Sequence, residues 1–84
     1  MTKRKAELIG YKKENGKQLE GMPLDREYKS GEEGEMEAMM RYIESGDIVM
    51  VETELEMGAT QKEIEEVKRK IYEKGVDIIV MNKK

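Results

Sequence analysis

The chain reads as a small α/β domain built on a parallel sheet, and three observations predict it. Short apolar blocks around Leu8-Ile9, at residues 48–51 and at residues 76–81 have strand length and little polar alternation, the pattern of strands buried on both faces. Two stretches between them place apolar residues at helical spacing. Gly46 and Gly75 then separate each helix from the strand that follows it. The resulting order is strand, irregular segment, helix, strand, helix, strand. Two strand-helix-strand units join parallel strands by right-handed crossovers, so both helices fall on one face of three main strands lying side by side.

Residues 6–11 form the first predicted strand, centred on Leu8 and Ile9, with Gly10 allowing close backbone approach. Periodicity then dissolves over residues 12–23, where Asn15-Gly16 and Glu20-Gly21-Met22-Pro23 are turn signals. Residues 24–29 are expected to add a short fourth edge strand, protected from further pairing by Asp25, Arg26, Glu27 and Lys29. Ser30-Gly31-Glu32-Glu33 has the spacing of a capping box, and Met36, Met39, Met40 and Ile43 follow as one apolar stripe, read as core. Gly46 is expected to end this helix. The central strand covers residues 47–53. Thr60-Gln61-Lys62-Glu63 repeats the capping box and opens a helix whose inner face carries Ile64, Val67, Ile71 and Tyr72. Gly75 closes it, residues 76–81 form the last strand, and residues 83–84 are a polar tail.

This arrangement leaves one sheet face without a helix, although the strands are apolar on both sides. Either residues 12–29 fold across that face or another polypeptide does.

Composition narrows the function. The 84 residues suffice for one domain, residues 6–82, behind a basic leader at residues 1–5. Charged residues make up 42% and hydrophobic ones 37%, and eight methionines supply much of an adaptable core. A net charge of −3 argues against direct DNA binding, which needs a basic surface. With neither Cys nor His there is no disulfide framework, and zinc and haem sites lose their usual ligands. No apolar run reaches membrane-spanning length and no signal peptide follows Met1, so a cytoplasmic location is expected. No phosphate-binding glycine loop is present, because Gly10, Gly16 and Gly21 have the wrong spacing. No cofactor and no small-molecule substrate are expected.

Gly10-Tyr11-Lys12-Lys13-Glu14-Asn15-Gly16 follows the first strand, and Ser45-Gly46-Asp47 precedes the central one. Thr53-Glu54-Leu55-Glu56-Met57-Gly58-Ala59-Thr60 follows that, and Glu73-Lys74-Gly75-Val76 leads into the last strand. In these segments and their order the chain resembles the N-terminal part of the catalytic domain of serine recombinases, the resolvase and invertase family. The likeness runs from about Ala6 to Asn82 and implies a resolvase-like scaffold, truncated before the downstream half of the catalytic domain, the dimerisation helix and the DNA-binding domain. Most of the helix that follows the family's first strand is also missing, and that helix would cover the vacant face.

The resemblance equally implies that the family's chemistry is lost. The nucleophilic serine position is Asn15, and the arginine two residues before it is Lys13. In the second motif the lysine is Thr53, the aspartate Leu55, and the two arginines Glu56 and Ala59. An amide forms no covalent link to a phosphodiester, and a glutamate repels the phosphate that an arginine would steady.

The remaining candidates are contacts. Glu52, Glu54 and Glu56 alternate, so on extended chain they project to one side, as a divalent-cation site or, the favoured reading, as a solvated acidic loop. Lys13 and Asn15 read as a turn in preference to a retained phosphate contact. Met22 and Met57, in irregular segments, are candidates for an exposed, adaptable contact. The expected protein is not an enzyme and acts by protein–protein interaction, with a second copy or an unrelated chain. The alternative is a regulator or competitor of a DNA recombinase, in a phage or mobile-element setting, where an acidic surface competes with DNA for a basic partner.

Overall fold

The computed structural model describes residues 5–13, 21 and 23–81. Residues 1–4 of the basic leader, Asn15, Met22 and the residues from Asn82 onward lie outside the described residues. Strand β1 (Leu8–Lys12) is followed by β2 (Arg26–Lys29), helix α1 (Glu35–Tyr42), β3 (Ile48–Val51), a single 3₁₀ turn (Glu54–Glu56), helix α2 (Gln61–Glu73) and β4 (Asp77–Val80). All four strands are parallel, in the order β2-β1-β3-β4. The three main strands lie side by side in chain order, with the short fourth strand on the outer edge of β1.

Strand alternation divides the sheet's side chains into two layers. Ile9, Tyr11, Val49 and Val51 pack in one cluster with Met39, Ile43, Ile64 and Ile71 from the helical segments. This is the main core, and it places both helices on one face. The guanidinium of Arg26 lies 4.0 Å over the centroid of the Tyr42 ring, a cation–π contact tying β2 to α1.

The first helix departs from its expected start. Ser30 is not its cap; Gly34 is, at φ 83°, with no side-chain cap. Gly31 also has positive φ, at 91°, and two such residues break the helical path, so α1 begins four residues later than a cap at Ser30 would place it. The Ser30 hydroxyl instead donates to the carbonyl of Glu56 at 3.3 Å, while the Glu35 carboxylate reaches back to the amide of Lys29 at 2.8 Å. The helix also ends earlier than expected, at Tyr42, and Gly46 shapes the turn into β3 instead of capping α1. Met39 is fully buried, while Met36 and Met40 are partly buried. The second helix starts as expected. Thr60 accepts from the Glu63 amide at 3.2 Å, and Glu63 accepts from the Ala59 amide at 2.9 Å. Tyr72, expected on the inner face, is 52% exposed. It sits one position past Ile71 on a helix that turns 100° per residue, so it faces out over the end of the sheet.

Asp47 joins three parts of the fold. Its carboxylate is 2% exposed and accepts from the amides of Glu7 at 2.9 Å and Glu44 at 2.8 Å. Its carbonyl accepts from Asp77 at 3.1 Å. The start of β1, the turn after α1 and the start of β4 therefore meet on one residue. Beside it the two glycine turns bond to each other, Gly46 N–H to Gly75 carbonyl at 2.9 Å.

The face away from the helices is covered in part. Leu24 lies over Gly10, where a β-carbon would come within 2.6 Å of its Cδ1. Met50, the register partner of Gly10, is 4% exposed. Across β3, its neighbour Ile79 on β4 is 40% exposed. Among the described residues the sheet is thus covered on this face at Gly10 and Met50 and more open at Ile79, toward the β4 end.

Two stability predictions follow from these contacts. Gly75 has φ 81°, and an added β-carbon would stand 2.9 Å from Ser45 Cβ, so Gly75→Ala combines backbone strain with a clash. It is expected to lower unfolding free energy by about 1–3 kcal/mol in urea titration. Asp47→Ala strands two backbone amides in a buried site and is expected to cost about 3 kcal/mol by the same measurement.

Candidate functional site

Ligands in open parallel sheets bind beyond the strand C-termini where the chain leaves neighbouring strands in opposite directions. Here that point lies between β1 and β3, since the chain passes from β1 outward to β2 and from β3 the other way to β4. Tyr11 and Val51 are paired at this rim, followed by exposed Lys13 and half-buried Glu52. Of the positions that the recombinase resemblance singles out, Lys13, Thr53, Leu55, Glu56 and Ala59 are described, and their side chains differ in direction and burial. Thr53 caps the 3₁₀ turn, and its amide donates to the Glu56 carboxylate at 3.3 Å. Glu56 points inward and is 6% exposed, whereas Leu55 points outward and is 64% exposed. Ala59 is exposed beyond the turn.

The three glutamates likewise diverge, contrary to the expectation of one shared side. A 3₁₀ turn rotates about 120° per residue, so residues two apart separate. Glu56 is drawn into the cap, and Glu54 forms an ion pair with Lys68 of α2. At that exposure such a pair contributes about 0–1 kcal/mol. Among the described residues no three acidic side chains come together in a way that could hold a metal ion. Met57, expected as an exposed contact, is 3% exposed and belongs to the core cluster, because the 3₁₀ turn folds it back under the sheet end.

A feature missed in the sequence is the way Tyr11 fills this rim. Its ring is 3% exposed, and burial pushes its phenol above the usual range. Hydrogen bonds with Ser30 and the Gly31 backbone act in the opposite direction, and the nearby charges of Glu35 and Glu56 add to the upward shift. The available signal was the odd–even alternation of Ile9 and Tyr11. The Ser30 hydroxyl donates to the Glu56 carbonyl and the Glu56 carboxylate accepts from the Thr53 amide, so these groups hold the loops of the rim together.

The open surface lies at the opposite end of the strand order. The four large hydrophobic side chains that are exposed among the described residues are Leu55, Tyr72, Ile79 and Met81. All four lie at or beside β4. A groove of about 810 Å³ runs between the 3₁₀ turn, α2 and β4, with Leu55, Ile64, Tyr72 and residues 78–80 on its walls and Lys68 and Glu54 beside them. A smaller groove of about 390 Å³ runs between the two helices, floored by Met36, Met40 and Val67 and edged by Glu37, Arg41 and Lys70.

The two sheet edges differ sharply. Strand β2 carries Arg26, Glu27 and Lys29, all exposed, around the buried Tyr28. Strand β4 carries one charge, Asp77, followed by Ile78, Ile79 and Val80. Charge on an edge strand opposes pairing with another chain, and an apolar edge lacks that protection.

The chain matches no protein-family model and no curated protein. No helix among the described residues is long and apolar enough to cross a membrane.

The buried Tyr11 predicts an alkaline limit. Its folded pKa lies above the ordinary value of 10.0, so the stability it contributes is full below that pH and is lost as pH rises through the folded pKa. Absorbance titration of the phenols should show a late-ionising component that Tyr11→Phe removes.

Proposed function

We propose that this chain is a non-catalytic interaction protein and that its working surface is the β4 edge with the adjoining groove. The observation that carries this reading is the gathering of Leu55, Tyr72, Ile79 and Met81 around one unguarded strand. Scattered exposed apolar residues are ordinary, but a contiguous set beside a strand edge is a recognition feature. Burying a few hundred Å² of such surface at about 25 cal/mol per Å² supplies several kcal/mol, enough to offset part of the entropy lost on association. The dispersal of Lys13, Thr53, Leu55, Glu56 and Ala59 supports the non-catalytic part of the reading, since a phosphoryl-transfer site needs its groups convergent.

The likeness to serine recombinases in the order of elements supports a setting in DNA recombination, with a recombinase as the alternative partner. In that case Glu52 and the exposed acidic residues near it act on a basic protein surface, not on DNA.

A photo-crosslinking amino acid placed at Leu55 or Tyr72 in the native host is expected to give protein adducts. The same group at Arg26 or Lys29, on the guarded edge, is expected to give far fewer. Equal yields at the two edges would remove the β4 surface from consideration.

A further inference from the structure

We infer that the occupant of this edge is a second copy of the chain, with β4 pairing antiparallel to its counterpart about a two-fold axis at Ile79. This rests on the reading of the β4 edge as the working surface and names its partner.

The register comes from the hydrogen-bond directions. Asp77 N–H donates to Asp47 and Met81 N–H to Val51, both on the β3 side. Alternate residues of a parallel ladder bond to one neighbour, so the odd-numbered residues of β4 are committed to β3. Ile78 and Val80 then direct their N–H and C=O groups outward along the edge. In an antiparallel pairing centred on Ile79, Ile78 of each copy exchanges both bonds with Val80 of the other. All four outward residues of the pair are satisfied at once. A pairing centred on Ile78 would instead need the amide of Val76, which already donates to Ile71 at 3.3 Å.

Side chains and charge agree with this register. Ile79, exposed on the far face, meets its own copy directly across the axis as a non-hydrogen-bonded pair. Asp77, the single charge on the strand, falls opposite Met81, so the two carboxylates stand at opposite ends of the paired strands. The groove walls at Ile78 and Val80 extend across the junction on the helix face. The other way of covering β4 with a copy would be head-to-tail pairing onto β2, which would propagate into a filament. The exposed Arg26, Glu27 and Lys29 oppose it. What remains is a closed, two-fold dimer with an eight-stranded continuous sheet, four strands from each copy.

The test uses the absence of cysteine in the chain. Cα atoms of a non-hydrogen-bonded antiparallel pair are about 4.5 Å apart, inside the range that a disulfide spans. Ile79→Cys is therefore expected to form an intermolecular disulfide under mild oxidation roughly tenfold faster than Lys29→Cys on the guarded edge. Light scattering of the unmodified chain should report a dimer mass, and Ile79→Lys should return it to one chain with unchanged circular dichroism. Ile79 is already partly exposed, so the lysine does not threaten the fold. A single-chain mass up to about 1 mM, with no preference for disulfide formation at position 79, would overturn the inference. A dimer that survives Ile79→Lys would overturn the assigned surface. If the chain is monomeric while Leu55 and Tyr72 positions still crosslink a different protein in cells, the second copy is wrong and the interaction reading stands.

Discussion

The carboxylate of Asp47 is the constraint on which the rest of this small sheet depends. It is taken out of water at the point where β1 begins, α1 has ended and β4 is about to pair. A buried carboxylate is tolerable only when donors surround it, and here the donors are the backbone amides of Glu7 and Glu44. Those two bonds fix where the chain enters β1 and how it turns out of α1. The Asp47 carbonyl then sets the register of β4 through Asp77. Gly46 and Gly75 shape the turns beside this residue at positive φ of 98° and 81°, and at Gly75 a β-carbon would also strike Ser45. The Gly46-Asp47 pair therefore has a structural use in this chain.

From that fixed end the sheet grows unequally. Its centre is closed on both faces, by the helices on one side and on the other at least by Leu24 over Gly10. One edge ends in charged residues and the other in isoleucine and valine. In a domain of 84 residues, with little core to spare, an apolar edge of this kind is a cost to solubility unless something covers it. The placement of Tyr72 and Leu55 beside it widens the same surface.

The architecture was legible because it depends on features that act locally. Apolar runs, Thr60 with Glu63, and Gly75 at a positive φ each determine their element through neighbours a few residues away. The charged edge strand was legible for the same reason. Three readings failed where a non-local contact or a second glycine decided the outcome. Ser30 has the spacing of a cap, yet Gly31 and Gly34 turn the chain away and its hydroxyl finds the Glu56 carbonyl instead. Glu52, Glu54 and Glu56 alternate only on extended chain, and the Thr53 cap winds them into a 3₁₀ turn. Met57 looked free in an irregular segment, but that same turn brings it into the core. The unguarded edge was hard to see in the sequence because β4, read as the last strand, is apolar at consecutive positions like a strand buried on both faces. Its position at the end of the strand order is a property of the whole topology.

The β3–α2 connection touches both the rim between β1 and β3 and the β4 edge. In an open parallel sheet, chemistry belongs at the rim between β1 and β3, where diverging loops leave a crevice. Here Tyr11 fills its floor, and Ser30 and Glu56 bind one loop to another across it. The Ser30 hydroxyl and the Glu56 carboxylate spend hydrogen bonds on the fold. The one large side chain of that connection left to solvent, Leu55, points past α2 toward β4. A single 3₁₀ turn thus points Glu56 inward and Leu55 outward, adding apolar surface beside the β4 edge.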